Sequence, residues 1–452
     1  MKRVQVAVMV LGLFVTGCVS APVADRGAAE AATGYQVVKS LTTEVGARLA
    51  GSAKEAEARR WAVSKLTSLG FTNVHEETFP FHGWERGTGS AEIIAPVKLP
   101  LVMTTLGGSV STPKGGLTAP VAFVDSYDEL LKASPGSFNG RIVYINDRMV
   151  RARDGSGYGP AVRKRSKGAI EASKRGALAV VIRSAGTDSN RFAHTGNLRY
   201  EDGVTRIPAL ALSAPDADQI ERLHAMGQEI SLKINLQTRD VLHSVSGNVI
   251  GDIKGTEKPD EIVLLGGHLD SWDLGTGAID DGAGVAIAIG AALRAAGPDM
   301  KPKRTIRVVL FGSEEYTGGG NGAGSGGVAY AKAHLAEVPK HMLAMEADFG
   351  AGAPWRYDTN VPAADLPFFE QIFSQLAPLG IERGKTKTSG GTDIEPLYGA
   401  GVRIIGIGQD GTNYFDLHHT ANDTLDKIDP VSLDLNVEAY ARAAAMVANR
   451  PE

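Results

Sequence analysis

A single cysteine, Cys18, serves the whole chain of 452 residues. The body of the chain therefore has no disulfide framework, no thiolate metal knuckle and no cysteine nucleophile, so its chemistry rests on oxygen and nitrogen groups. Excess positive charge is missing too. Lys and Arg number 47 against 51 Asp and Glu, a net charge of −4, which offers no basic surface for nucleic acid. A phosphate cradle is absent: the glycine-rich stretch 318–327 (GGGNGAGSGG) has no Lys-Ser/Thr, and no GxGxxG opens a helix after a strand. That stretch reads as a flexible loop. What remains is ordinary, with 43% hydrophobic and 22% charged residues, enough for sizeable cores in two or three domains.

The N-terminus reads as an export leader. Lys2 and Arg3 form a positive start and 4–15 an apolar core too short for a comfortable membrane span. VTGC, ending at Cys18, resembles a bacterial lipobox. On this reading 1–17 is a lipoprotein signal peptide, Cys18 is the lipidation site, and 18–31 is a tether. The protein is then exported to the periplasm or outer membrane and touches membrane only through that N-terminal lipid anchor. An ordinary leader cleaved near Ser20 is the alternative.

Further along, apolar runs end repeatedly in acids and imidazoles. The β-branched run 262–265 has the length of a buried strand and leads into His268 and Asp270, which a period of two puts on one side. A carboxylate beside an imidazole is the arrangement that fixes the tautomer of a metal-bound histidine. Asp280 and Asp281 precede a helix of small residues; Asp281 suits its N-terminal cap, which leaves Asp280 free. A second strand, 305–311, ends at Glu314 and Glu315, and a third run, 342–345, ends in Glu346 and Asp348. His418 and His419 stand in a loop near the C-terminus. Open α/β sheets place their sites at the carboxyl ends of strands. The mixed set His268, Asp280, Glu315, Asp348 and His419 is too rich in carboxylate for one structural zinc. It suits two zinc-like ions about 3.5–4 Å apart sharing a carboxylate.

The motifs GGHLDSWDLGTGAIDDG, LFGSEE, MEADFG, SGGTD and YFDLHHTANDT, in that order, resemble those of the co-catalytic di-zinc exopeptidase family, and within it the carboxypeptidase Q type. The resemblance covers nearly all of the chain after the leader. It implies two zinc ions, one held by His268, Asp348 and Asp280 and the other by Glu315, His419 and the shared Asp280, with a cis peptide between Asp280 and Asp281. Aligning HTANDT with the family's HTxxDT picks His419 over His418. It implies Glu314 as general base, Asp270 as support for His268 and Asp423 as a group orienting His419. Tyr414 and Asp393 are candidate substrate contacts.

Strand and helix alternation predicts an α/β fold, a mostly parallel mixed sheet flanked by helices, in which 32–100 and 239–452 form the peptidase unit. Between them, 101–238 resembles an inserted α+β protease-associated domain, either a lid or a packing module. The basic run Arg163, Lys164, Arg165 and Lys167 within it reads as a solvated helix face. The implied activity is hydrolysis of dipeptides or short peptides, with a homodimer left open. An aminopeptidase on the same metal centre is the nearest alternative. A single-zinc glutaminyl cyclase and a non-catalytic receptor-like module stand further off, since all five ligand positions and the base are present.

Overall fold

The computed structural model describes residues 26–318 and 325–451. The expected leader, the Cys18 lipidation site and residues 319–324 of the glycine-rich stretch lie outside the described residues. The chain builds two eight-stranded sheets.

In the first sheet the strands run, edge to edge, Thr72–Glu85, Arg239–Ile253, Arg304–Phe311, Lys258–His268, His341–Glu346, Ile404–Gln409, Pro354–Asn360 and Glu382–Arg383. Lys258–His268 lies parallel to both of its neighbours, while Arg239–Ile253 pairs antiparallel with both of its own and Pro354–Asn360 runs antiparallel to Ile404–Gln409, so the sheet is mixed around a parallel centre. Alternation along the central strand serves both faces. Val263 and Leu265 enter one core, and Ile262 and Leu264 another. The helix Ala283–Ala296 is buried along almost its whole length because helices Thr33–Glu44 and Pro430–Ala448 cover it. Small residues permit that approach: a Cβ on Gly34 or Gly290 would lie 3.0–3.1 Å from the Val437 side chain. Local signals set the ends. Ser52 accepts the Glu55 N–H at 3.1 Å to start helix Ala53–Ser68, and Asp429 accepts from Ser432 ahead of Pro430–Ala448.

The long antiparallel pair Thr72–Glu85 and Arg239–Ile253 carries the chain out to the second sheet and back. That sheet runs Leu99–Leu101, Gly89–Ala95, Ser231–Leu236, Leu117–Val124, Ile142–Ile145, Ala179–Arg183, Ala209–Leu212 and Met103–Thr105, over its own cores. Residues 89–100, expected with the first sheet, pair here instead. Gly89–Ala95 takes Ser231–Leu236 as its partner, so the inserted unit starts near residue 89 and not at 101. The two units meet closely: a Cβ on Gly107 would lie 2.1 Å from the Trp272 ring, and Arg86, ion-paired with Asp273 at 2.7 Å, donates across to the Thr104 hydroxyl at 2.9 Å. Among the described residues no helix is long and apolar enough to cross a membrane.

The expected solvated basic face is also corrected. On helix Tyr158–Ser173, Arg163 pairs with Asp128 at the surface and Lys167 is exposed, but Lys164 and Arg165 are buried. They share the inward stripe of Ala161, Gly168, Ala169 and Ala172, so spacing on the helix decides their fate over charge.

Candidate metal centre

The parallel register puts His268 opposite Phe311 at the carboxyl edge of the first sheet, and Glu346 opposite Gly266 two residues earlier. Each strand then turns. Ser313 adopts a left-handed φ of 53°, which swings Glu314 and Glu315 off the Arg304–Phe311 strand. Asp280 arrives on the loop before helix Ala283–Ala296, and its peptide to Asp281 is cis, as the resemblance implies.

The five expected ligands come together around Asp280. His268 Nε2 lies 3.1 Å from Asp280 Oδ1 and 3.4 Å from Asp348 Oδ1. On the other side, His419 Nε2 lies 3.3 Å from Asp280 Oδ2 and 2.8 Å from Glu315 Oε2. Each oxygen of one carboxylate thus faces its own histidine and its own second acid. Three overlapping trios have ligand atoms within 4.8 Å of one another: His268 with Asp280 and Glu315, His268 with Asp281 and Asp348, and Asp280 with His418 and His419. Asp281 is otherwise engaged. Its oxygens accept the N–H of His268 at 3.0 Å and of Gly284 at 2.9 Å, capping the first turn of the following helix. His418 stacks on His419 with ring centres 3.4 Å apart and stays 3.6 Å from Asp280.

Electrostatics mark the cluster as built for cations. Burial pushes the Glu315 carboxyl well above its ordinary range, with the Asp280 charge adding to it, and burial raises Asp348 as well. Asp280 goes the other way: burial would raise it, but the hydrogen bond to His268 and the nearby imidazoles of His419 and His418 outweigh burial and hold it well below the usual carboxylate range. Burial drives His419 down to about 4, whereas at His268 the carboxylates of Asp270, Asp280 and Asp348 outweigh burial and raise the ring. Asp280 Oδ2 and Glu315 Oε1 are buried without a hydrogen-bond donor among the described residues. Such oxygens are costly unless a cation meets them, and with two imidazoles they form a donor set that zinc accepts.

Glu314 has its carboxylate at the cavity wall, with no protein hydrogen bond among the described residues, and burial followed by the charge of Asp348 raises it to about 8. The cavity, about 970 Å³, is lined by Glu314, Asp348 and Tyr414 from the first unit and by Tyr158, Arg165 and Arg199 from the inserted one.

Of the two expected supporting roles, that of Asp270 widens and that of Asp423 changes. The Asp270 carboxylate accepts the N–H groups of Glu314 at 3.1 Å and Glu315 at 3.3 Å; His268 Nδ1 donates to the Asp270 carbonyl at 3.0 Å and is 3.7 Å from its carboxylate. A strand end beside a tight turn offers unpaired amides, and the carboxylate takes them first. Asp423 does not reach His419. It accepts the N–H groups of Ala278, Ile279 and Asp280 at 2.6–3.2 Å and so fixes the loop carrying the shared carboxylate. Asp393 does not line the cavity: it is fully buried and accepts the Gly327 N–H at 3.0 Å, and its neighbours Thr392 and Glu395 line the cavity instead. Tyr414 does line it.

Two residues with no role in the sequence reading belong here. Arg48 is fully buried and donates to the carbonyls of Leu269, Thr276 and Gly277, binding the two loops that follow the central strand. Its place between glycines in a short loop carried no periodic signal. Arg165 reaches within 3.4 Å of His419 Nδ1. The signal for it was available, since a charged residue on an otherwise small and apolar helix stripe points inward.

Comparisons agree with this geometry. The model of peptidase family M28 matches residues 248–444. Carboxypeptidase Q of Mus musculus is 34% identical over 92% of this chain and 86% of its own length, and that of Homo sapiens is 33% identical over the same shares. The crystal structure of a peptidase M28 precursor from Shewanella amazonensis SB2B is 46% identical and superposes with a TM-score of 0.90, covering 94% of this chain and 96% of its own. A zinc aminopeptidase from Bacillus subtilis, 20% identical with a TM-score of 0.64 over 92% of this chain and 97% of its own, shares the fold. With relatives this similar across nearly their full lengths, and the donor set in place, the chain belongs to peptidase family M28 and is a zinc-dependent metallopeptidase.

Proposed function

We propose that the chain is a co-catalytic di-zinc exopeptidase of the carboxypeptidase Q type that hydrolyses dipeptides or short peptides. The observation that carries the reading is Asp280 standing between two histidines, one on each oxygen, with Glu314 on the wall of the same cavity. His268, Asp348 and Asp280 would hold one ion, and Glu315, His419 and Asp280 the other. When bound, the ions lower the pKa of a bound water to about 7 and polarise the scissile carbonyl. Glu314 takes the proton of the attacking water and delivers it to the departing amine nitrogen. Asp270 holds the Glu314 and Glu315 amides, which sets the direction of both side chains. Tyr414, whose hydroxyl burial keeps protonated well above the usual tyrosine range, is the donor for the developing oxyanion. Arg165 and Arg199 give the cavity a cationic wall suited to a free substrate carboxylate. An aminopeptidase is the second reading, favoured by Glu395, an acid on the same cavity with no part in holding ions or moving the proton.

One dipeptide offered free, N-acetylated and C-amidated, each with and without chelator, separates these. Chelator-sensitive cleavage of the free form alone supports the proposal. Cleavage that survives C-amidation supports the aminopeptidase, and no cleavage of any form contradicts both. Export with Cys18 acylated is part of the proposal: Cys18→Ala should move the protein from the membrane fraction to the soluble one, and continued membrane association would contradict the anchor.

A further inference from the structure

His419 sits in a loop, not at a strand end, and at a φ of 61° its backbone is in the left-handed region that side chains other than glycine seldom adopt. Something must hold it there. The contacts come from the inserted unit. His194 is buried and donates its Nδ1–H to the carbonyl of His418 at 2.8 Å. Its Nε2 meets the Asp188 carboxylate at 2.6 Å, and the Ser184 hydroxyl accepts its backbone N–H at 2.9 Å. The next residue completes the clamp. Thr195 N–H donates to the His419 carbonyl at 3.0 Å, and the Thr195 carbonyl lies 3.2 Å from His419 Nδ1, which leaves Nε2 facing Glu315 and Asp280. The strip is shaped around these groups: a Cβ on Gly186 would fall 2.2 Å from the His194 ring, and one on Gly196 would fall 2.3 Å from the Arg165 guanidinium.

We propose that the Asp188–His194 pair and the Thr195 peptide of the inserted unit position His419 for its ion, so that this unit is part of the metal centre as well as a wall over the cavity. His194 and Asp188 are positioning residues, acting through the carbonyl of His418 and the backbone of His419. The proposal rests on the reading of His419 as a ligand. Partners of ligand histidines govern metal affinity by about 10–100-fold when removed.

The test compares the full chain with His194→Ala and His194→Asn, measuring zinc affinity by chelator competition alongside kcat and KM. Asn carries an amide N–H close to the place of Nδ1. In His194→Ala one ion is expected to bind about 10–100-fold more weakly while the other is retained, with kcat falling and KM held. His194→Asn should recover most of the loss, which a merely structural role would not produce. Wild-type affinity for both ions in His194→Ala overturns the proposal, as does a loss that His194→Asn fails to recover. If His194→Ala does not fold, Asp188→Asn decides: weakened binding of one ion supports the proposal and wild-type binding overturns it. His419→Ala keeps the two readings apart. If it too binds both ions as wild type, the ligand assignment itself fails; if it loses one ion while His194→Ala keeps both, only the positioning role fails.

Discussion

His268 ends a strand whose register is fixed by parallel neighbours on both sides, and Asp348 follows the end of one of them by two residues. His419 has no such frame; it lies in a loop held by His194 and Thr195, which themselves stand in the segment between two strands of the inserted unit. The two sides of one cluster are therefore built by different physics. Backbone ladders place the first, and side-chain and peptide contacts across the units place the second. A site of this kind can keep its sheet-borne half while its loop-borne half depends on how the inserted unit docks.

Breaking the shared element should have the largest effect. Asp280→Ala removes the carboxylate that faces both histidines, so both ions should be lost and kcat/KM should fall by at least about 10⁴-fold, the scale of general base catalysis in full. His268→Ala and His419→Ala should each cost one ion, as read by metal analysis of the dialysed protein. Retention of two ions by Asp280→Ala would remove the bridge from the account.

Next in size is the loop that presents Asp280. Asp423→Ala leaves the N–H groups of Ala278, Ile279 and Asp280 without their acceptor, and charged hydrogen bonds of this kind are worth about 1.5–3 kcal/mol each before relaxation. Chemical denaturation should show a loss of roughly 3 kcal/mol together with weakened binding of both ions. Wild-type stability would mean that Arg48 alone secures the loop.

A separate effect, on stability alone and dependent on pH, concerns the inserted unit by itself. Lys164 is fully buried with its ammonium donating to the Ala161 carbonyl, and burial lowers it from 10.5 to about 7. A base depressed on folding costs stability below its folded pKa, and the cost fades as pH rises from about 7 to 10.5. Lys164→Met should therefore stabilise the protein, by at most about 4 kcal/mol at pH 7, with the gain shrinking to nothing near pH 10.5. Denaturant melts at the two pH values would check it; a gain that grows with pH would reverse the sign of the argument.

The same contrast explains what the sequence made legible. Apolar runs that stop at His268, Glu315 and Asp348 announce themselves, because a buried parallel strand must be continuously apolar and its end must not be. Periodicity marks helices over 53–69 and 434–449, and the structure forms Ala53–Ser68 and Pro430–Ala448, the second starting about one turn earlier at Pro430. Contacts between distant segments left no local trace. Asp270 meets His268 as expected, but its bonds to the amides of Glu314 and Glu315, and those of Asp423 to the amides of Ala278 to Asp280, are invisible in a residue pattern. The start of the inserted unit near Gly89 depended on strand pairing with Ser231–Leu236, more than 130 residues away. Arg165 was hidden for another reason: its charge suggested solvent while its helical stripe pointed inward.

The central claim is that Glu314 moves the proton between water and the leaving amine, beside two ions it does not bind. The most direct measurement is kcat of Glu314→Gln on a free dipeptide, with the metal content of the same sample. A fall of about 10²–10⁴-fold with two ions retained is the predicted result. A kcat near wild type with both ions in place would contradict it.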